Sequence, residues 1–209
     1  VLALGHHQIA VVHVDGSGPV LCRRRLGVQA FHGVQDCAAR VQVERVAELV
    51  RLGRGRRFDA EGNLPEAAWK ALDEADAIVF GSPTYMGTVS WQFKKFADAS
   101  SKAWFTQKWK DKVAAGFTNS ATINGDKLST LTTLFTLAMQ HGMVWVGTGM
   151  MPSNSKAAVR NDVNYVGSFS GAMAHSPSDS SPDEVPAGDL ETARLFGKRV
   201  AEVATRLAK

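Results

Sequence analysis

The sequence predicts an α/β domain in which a parallel sheet carries helices on both faces. Three observations lead there. Apolar runs and amphipathic stretches alternate five times along the chain, and each crossover between parallel strands must return right-handed to the same sheet. After the acidic Asp76, the run Ala77-Ile78-Val79-Phe80 is apolar without alternation, the pattern of a strand buried on both faces. The last stretch places Leu190, Ala193, Phe196, Val200, Val203, Ala204 and Leu207 along one helical face, with Asp189 as the expected N-cap.

The 209 residues allow one full core. A hydrophobic share of 44% and a charged share of 21% exclude global disorder. No apolar run approaches the roughly 20 residues of a membrane span, so a cytoplasmic protein is expected. Val1 to His7 has no initiator Met and ends on two histidines; it reads as a tag or disordered terminus, leaving 8–209 as a single domain. Cys22 and Cys37 have no CxxC spacing, which supports free thiols rather than a disulfide scaffold or a metal site. The net charge of +4 comes mostly from arginines between Arg23 and Arg57. Without a reading element or interleaved stacking aromatics, that excess does not predict nucleic-acid binding.

In chain order, Gln8 to Val14 reads as the first strand and stops at the turn-rich Asp15-Gly16-Ser17-Gly18-Pro19. Residues 20–38 are expected to be helical, although Arg23-Arg24-Arg25, Gly27 and Gly33 interrupt the period. Arg40 to Val46 alternates and predicts a second strand nearer an edge. Pro65 opens a short helix with Ala68, Leu72 and Ala75 on one face. The strand at 76–80 follows, then a helix whose Val89, Phe93, Phe96 and Ala97 share a core face. Lys102 to Lys112 reads as a polar connection, Val113 to Phe117 as a fourth strand, and Gly125 or Asp126 as the start of a helix that Gly142 ends. Met143 to Val146 is the fifth strand. Residues 147–188 are aperiodic and rich in Gly, Ser and Pro, a loop of the length that usually serves function or an oligomer contact. Trp91, Trp109 and Trp145 are expected in the core or an interface.

Three polar loops follow the first, third and fourth strands. Ligands of open α/β sheets bind at such carboxyl ends. Gly16, Ser17 and Gly18 could cradle a phosphate with backbone N–H groups. Pro83, Thr84, Tyr85, Met86 and Gly87 combine a fixed backbone, a hydroxyl, an aromatic ring and a permissive residue, which suits a flat ring with polar edges.

Gly81-Ser82-Pro83-Thr84-Tyr85-Met86-Gly87, Gln140-His141-Gly142-Met143-Val144, Asn164-Tyr165-Val166-Gly167-Ser168 and the terminal Leu190 to Gly197 together resemble the flavodoxin-like NAD(P)H:quinone oxidoreductases of the tryptophan-repressor-binding-protein (WrbA) family. The resemblance covers roughly residues 76–207. It implies a three-layer sandwich with a five-stranded parallel sheet in the order 2-1-3-4-5, an FMN cofactor, NADH or NADPH as co-substrate, a quinone substrate, and a homodimer or homotetramer. By position, Pro83 to Gly87 would line the isoalloxazine, largely through backbone groups. Asn119, Ser120, Ala121, Asn124 and Gly125 would embrace its other side. His141 takes the place of an active-site His, Trp104 that of an aromatic bordering the substrate pocket. Tyr165 reads either as a pocket residue facing a neighbouring subunit or as packing.

The first loop departs from the family. Asp15, Pro19 and Val20 stand where hydroxyl, Gly and helix-opening donors are expected; an anionic Asp15 repels a phosphate and Pro19 removes a donor. Either FMN is held weakly, or residues 15–36 are misread. A flavodoxin-type electron carrier and a flavin-poor scaffold stand as alternatives, although such carriers are usually acidic.

Overall fold

The computed structural model describes residues 8–12, 64–181 and 184–208. Its centre is β2 (Ala77–Pro83), buried along its whole length. Because side chains of a strand alternate, Ile78 and Phe80 enter one core while Ala77 and Val79 enter the other. β3 (Val113–Ser120) lies parallel to β2, in register from Ala77 opposite Val113 to Pro83 opposite Asn119. On its other side β3 pairs in parallel with β4 (Val144–Trp145) near its start and β5 (Ala172–His175) near its end. These two short strands share one position in the sheet, end to end.

β1 (Gln8–Val12) pairs with β2 on the opposite edge and runs antiparallel, Gln8 opposite Gly81 and Val12 opposite Ala77. This corrects the expectation of an all-parallel sheet. An apolar five-residue run has no signature of direction, since either sense satisfies the ladder of its neighbour. The expected strand at 40–46, the helix at 20–38 and the Asp15 to Val20 loop lie outside the described residues, as does Val1 to His7. The neighbour order from β1 through β2 and β3 to β4 agrees with the expected 1-3-4-5 portion of the sheet.

Helices cover both faces. On one, Leu72 of α1 (Glu66–Glu74), Phe93 and Phe96 of α2 (Trp91–Ala99), Ala103 of α3 (Ser101–Phe105) and Leu131, Leu134 and Ala138 of α4 (Lys127–Gln140) pack with Phe80 and Trp109. Trp69, Phe96 and Trp109 stack nearly parallel, with centroids 5.4–6.3 Å apart. On the other face, Phe196, Val200, Ala201 and Ala204 of α5 (Ala187–Leu207) meet Val79, Val113, Ala115 and Ala172.

Caps follow local chemistry. The Ser90 hydroxyl accepts from the Phe93 amide at 3.3 Å at the start of α2. α4 ends at His141, with Gly142 at φ 68; the Gly142 amide donates to Met139 and the Met143 amide to Ala138, a Schellman pair. The N-cap of α5 is Pro186, not Asp189. Asp189 lies inside the first turn, where its carboxylate is held by Arg160 instead. The expected polar connection after α2 contains α3, and the expected loop 147–188 contains β5. Gly171 admits the latter: a Cβ there would come 2.3 Å from the Gly116 carbonyl oxygen.

Candidate functional site

Parallel β2, β3 and β5 end at one pole of the sheet, and their following loops meet there. At the end of β2, Tyr85 and Thr88 exchange backbone hydrogen bonds of 2.9 and 3.1 Å around Met86 and Gly87. Both central residues have positive φ, 47° and 77°, the sign pattern of a type I′ turn. Gly87 is the natural residue for this backbone and Met86 adopts it at a cost. The Met86 and Gly87 amides take no partner among the described residues. Met86 is fully exposed and Tyr85 is 48% exposed.

Thr84 anchors this turn from below. Its amide donates to the Asn119 carbonyl at 2.9 Å, and its hydroxyl contacts both the Thr118 and Thr130 hydroxyls at 2.8 Å. Thr118 and Thr130 are buried. The Thr84 side chain is therefore occupied inside the protein, and what the turn offers a ligand is its backbone and the Tyr85 ring.

The second loop is equally knit. Asn119 Nδ2 donates to Ser176 Oγ at 2.7 Å, while its buried Oδ1 has no partner among the described residues. The Ser120 hydroxyl donates to the Thr122 carbonyl at 2.9 Å and accepts from Lys127 Nζ at 2.8 Å. Asn124 Oδ1 accepts from the Asp126 amide at 3.1 Å. Gly125, φ 54, sits where a Cβ would come 2.1 Å from Ser120 Oγ. Ala121 and Asn124 are exposed. Burial lowers the Lys127 ammonium pKa to about 8; Asp189 raises it and Arg160 lowers it further.

Tyr165 is half-buried beside the Arg160 guanidinium, 5.6 Å from its ring centroid. Arg160 makes a two-pronged pair with Asp189, at 2.8 and 2.5 Å. Asp189 also accepts from the His175 amide at the end of β5 at 2.9 Å. This cluster ties Tyr165 to the same pole as the two loops.

His141 and Trp104 lie at the other pole. α4 runs against β3, so its last residues return to the start of the strand, where the Asp111 amide donates to the Gly142 carbonyl. His141 is 2% exposed, 2.9 Å from Ser100 Oγ through Nε2 and 4.3 Å from the Trp109 ring. Burial lowers its pKa. Within the chain His141 is a buried residue at a helix end, at the pole away from these loops. Trp104, 44% exposed, borders a shallow groove of about 440 Å³ with Ser101, Lys102, Phe105 and Thr106 at that same pole. Trp109 is fully buried, as expected; Trp91 is 60% exposed.

Sequence reading missed the roles of Thr130, Lys127, Arg160 and, beyond its expected place as an N-cap, Asp189. One signal was available: Lys127 puts a cation in the first turn of a helix, against its dipole. The others become visible only through contacts made far along the chain.

The residues fit a flat ring with hydrogen-bonding edges. Among the described residues Asn119 Oδ1 is an orphaned acceptor and Met86 and Gly87 offer unclaimed donors, and Tyr85 adds an exposed aromatic wall. Gly16, Ser17 and Gly18 lie outside the described residues. The family model of the NADPH-dependent FMN reductases matches residues 24–157. The chain belongs to that family. Among relatives of the FMN reductase family member described here, the flavodoxin FldP of Pseudomonas aeruginosa is 54% identical over 150 residues, covering 72% of this chain and 82% of that protein. An NAD(P)H dehydrogenase (quinone) of Sinorhizobium fredii is 34% identical over 205 residues, covering 96% of this chain and 98% of its own. A solved flavodoxin, WrbA-like protein from Agrobacterium tumefaciens matches with a TM-score of 0.57 and 55% identity, over 71% of this chain and 78% of that one. The flavodoxin-like α/β class, the oxidoreductase assignment and the FMN and NAD(P)H readings are those of this family. Among the described residues no helix is long and apolar enough to cross a membrane, and no group of His, Cys, Asp and Glu could hold a metal ion.

Proposed function

We propose that this chain reduces quinones by two electrons at the expense of NADH or NADPH. The observation that carries this is the meeting of the Thr84 to Gly87 turn and the Asn119 to Gly125 loop at the carboxyl ends of adjacent parallel strands, with Asn119 Oδ1 unpartnered among the described residues. When bound, FMN supplies the exchange of a hydride through its N5, first with the nicotinamide and then with the quinone in a ping-pong cycle.

The chain's own residues bind and orient. Thr84, pinned by Thr118 and Thr130, fixes the height of the turn above the sheet. The Met86 and Gly87 amides would supply donors to the ring and Asn119 Oδ1 an acceptor, and the exposed Tyr85 ring would shield it from water. Ser120, Ala121, Asn124 and Gly125 would form the opposite rim, and Gly16, Ser17 and Gly18, which lie outside the described residues, would be the phosphate contacts. Such positioning needs no acid/base triad. Tyr165 borders the substrate pocket. Trp104 does so only from a neighbouring copy, because it lies at the pole away from these loops; this agrees with a homodimer or homotetramer, whose existence sedimentation of the purified chain would test.

The similarity to the flavodoxin FldP favours one other reading, an electron carrier that takes electrons from a separate reductase. Visible spectra separate the two. A chain loaded with FMN whose flavin bands are bleached by NADH or NADPH alone and restored by benzoquinone is the oxidoreductase; bleaching only after a reductase is added makes it a carrier.

A further inference from the structure

Lys127 is the first residue of α4 and is 0% exposed. It makes no ion pair among the described residues. Its Nζ donates to Ser120 Oγ at 2.8 Å and to the Thr122 carbonyl at 2.5 Å, so it holds the loop after β3 from the inside. The charged groups that act on it are Asp189 and Arg160, and these two are already paired with each other. His175 lies opposite Ser120 in the ladder, and Asp126, beside Lys127 at the N-cap, is exposed. The ammonium also stands at the positive end of a 14-residue helix.

Desolvation and the helix dipole both disfavour a cation here. A neutral amide could tether the loop with the same two hydrogen bonds at lower electrostatic cost. What a buried ammonium does, and an amide does not, is favour negative charge that develops on the other side of the loop, in a setting where water screens little.

We propose that Lys127 is the fixed cation that stabilises the negative charge which hydride transfer leaves on the FMN ring, acting from beneath the Ser120 to Gly125 loop. The inference rests on the reading of that loop as the rim of the cofactor. The charges balance: a hydride brings two electrons and one proton, the nicotinamide leaves oxidised, and a ring neutral before transfer carries one negative charge after it. The quinone later takes the hydride, and solvent supplies its second proton. Lys127 acts through the loop, and is a positioning residue of the redox site rather than a group shown to touch the cofactor.

The test is the midpoint potential of bound FMN against pH, measured by reductive titration of the full chain as wild type, Lys127→Met and Lys127→Arg. A tenfold loss in the preference for reduced over oxidised FMN in Lys127→Met, about 30 mV for a two-electron couple, with recovery in Lys127→Arg, is the expected result. The wild-type profile bends near pH about 8, where the amine titrates, and the Met variant lacks the bend. The wild-type curve needs no variant, so a misfolded Lys127→Met does not remove the test. Retained FMN with a featureless wild-type profile overturns the proposal, as does a Met variant that loses affinity for both redox states equally and makes Lys127 a loop tether only. A wild-type chain that retains no FMN overturns the cofactor reading and this proposal with it.

Discussion

His141 shows how different a side chain's neighbours in space can be from those its motif suggests. Its motif resembles an active-site His, but its ring stands against Trp109 with Nε2 on Ser100 and with Nδ1 unpartnered among the described residues. Burial disfavours the charged ring, so its folded pKa lies below the ordinary value. The unfolded chain then binds more protons than the native one as pH falls below the unfolded pKa of about 6.5. The stability due to the neutral ring is thus complete above that pKa and is lost as pH drops through the lower, folded one. Urea midpoints at about pH 7.5 and about pH 5 should differ more for the wild type than for His141→Gln; equal differences would mean that another group drives the acid loss. The same rule of topology that moved His141 was available in the sequence. A helix between parallel strands begins at their carboxyl pole and ends at the opposite one, so a residue at the end of α4 cannot reach the loops of its own sheet.

At the scale of elements, α5 is the instructive case. Its apolar face was legible from periodicity and is the face that packs, through Phe196, Val200 and Ala204. Its start was not, because an Asp ahead of an apolar stripe is as suitable for a cap as for a buried pair. The pair won: Arg160 binds Asp189 through both nitrogens, and the His175 amide adds a third bond. This joins the 147–171 segment, β5 and α5 at the pole where β2 and β3 end. Asp189→Ala would leave the partly buried Arg160 guanidinium with only the His175 carbonyl and the Tyr165 ring beside it, and would remove the acceptor of the His175 amide. Because the Arg160 side chain is 28% exposed, the expected destabilisation is at the low end of the roughly 3–5 kcal/mol for breaking a buried pair. A chemical denaturation curve measures this, and a change within about 0.5 kcal/mol, the range of ordinary surface substitutions, would make the cluster incidental. β5 and α3 escaped the sequence for a related reason: four and five residues are too few to display a period, and their ladders and packing are supplied by partners distant in the chain.

For the whole molecule, FMN should act as a folding ligand, since the loops proposed to hold it join β2, β3 and α4. At a hundredfold excess over the dissociation constant, native-state binding adds about 2.7 kcal/mol, so the thermal midpoint should climb with FMN concentration in a calorimetric series. An unmoved midpoint at high FMN would point to an inoperative phosphate loop around Asp15 and Pro19. By itself the sequence determined that this is an α/β chain with buried β2 and β3, amphipathic helices on two faces, and polar loops at the strands' carboxyl ends. Burial period and turn chemistry are local, and each residue carries its share of them. The tertiary structure alone decided the direction of β1, the splitting of one sheet position between β4 and β5, the removal of His141 and Trp104 to the far pole, and the burial of Lys127 under the Ser120 to Gly125 loop. Those outcomes depend on which segments meet across the sheet, and no single segment encodes the partner that another will present to it.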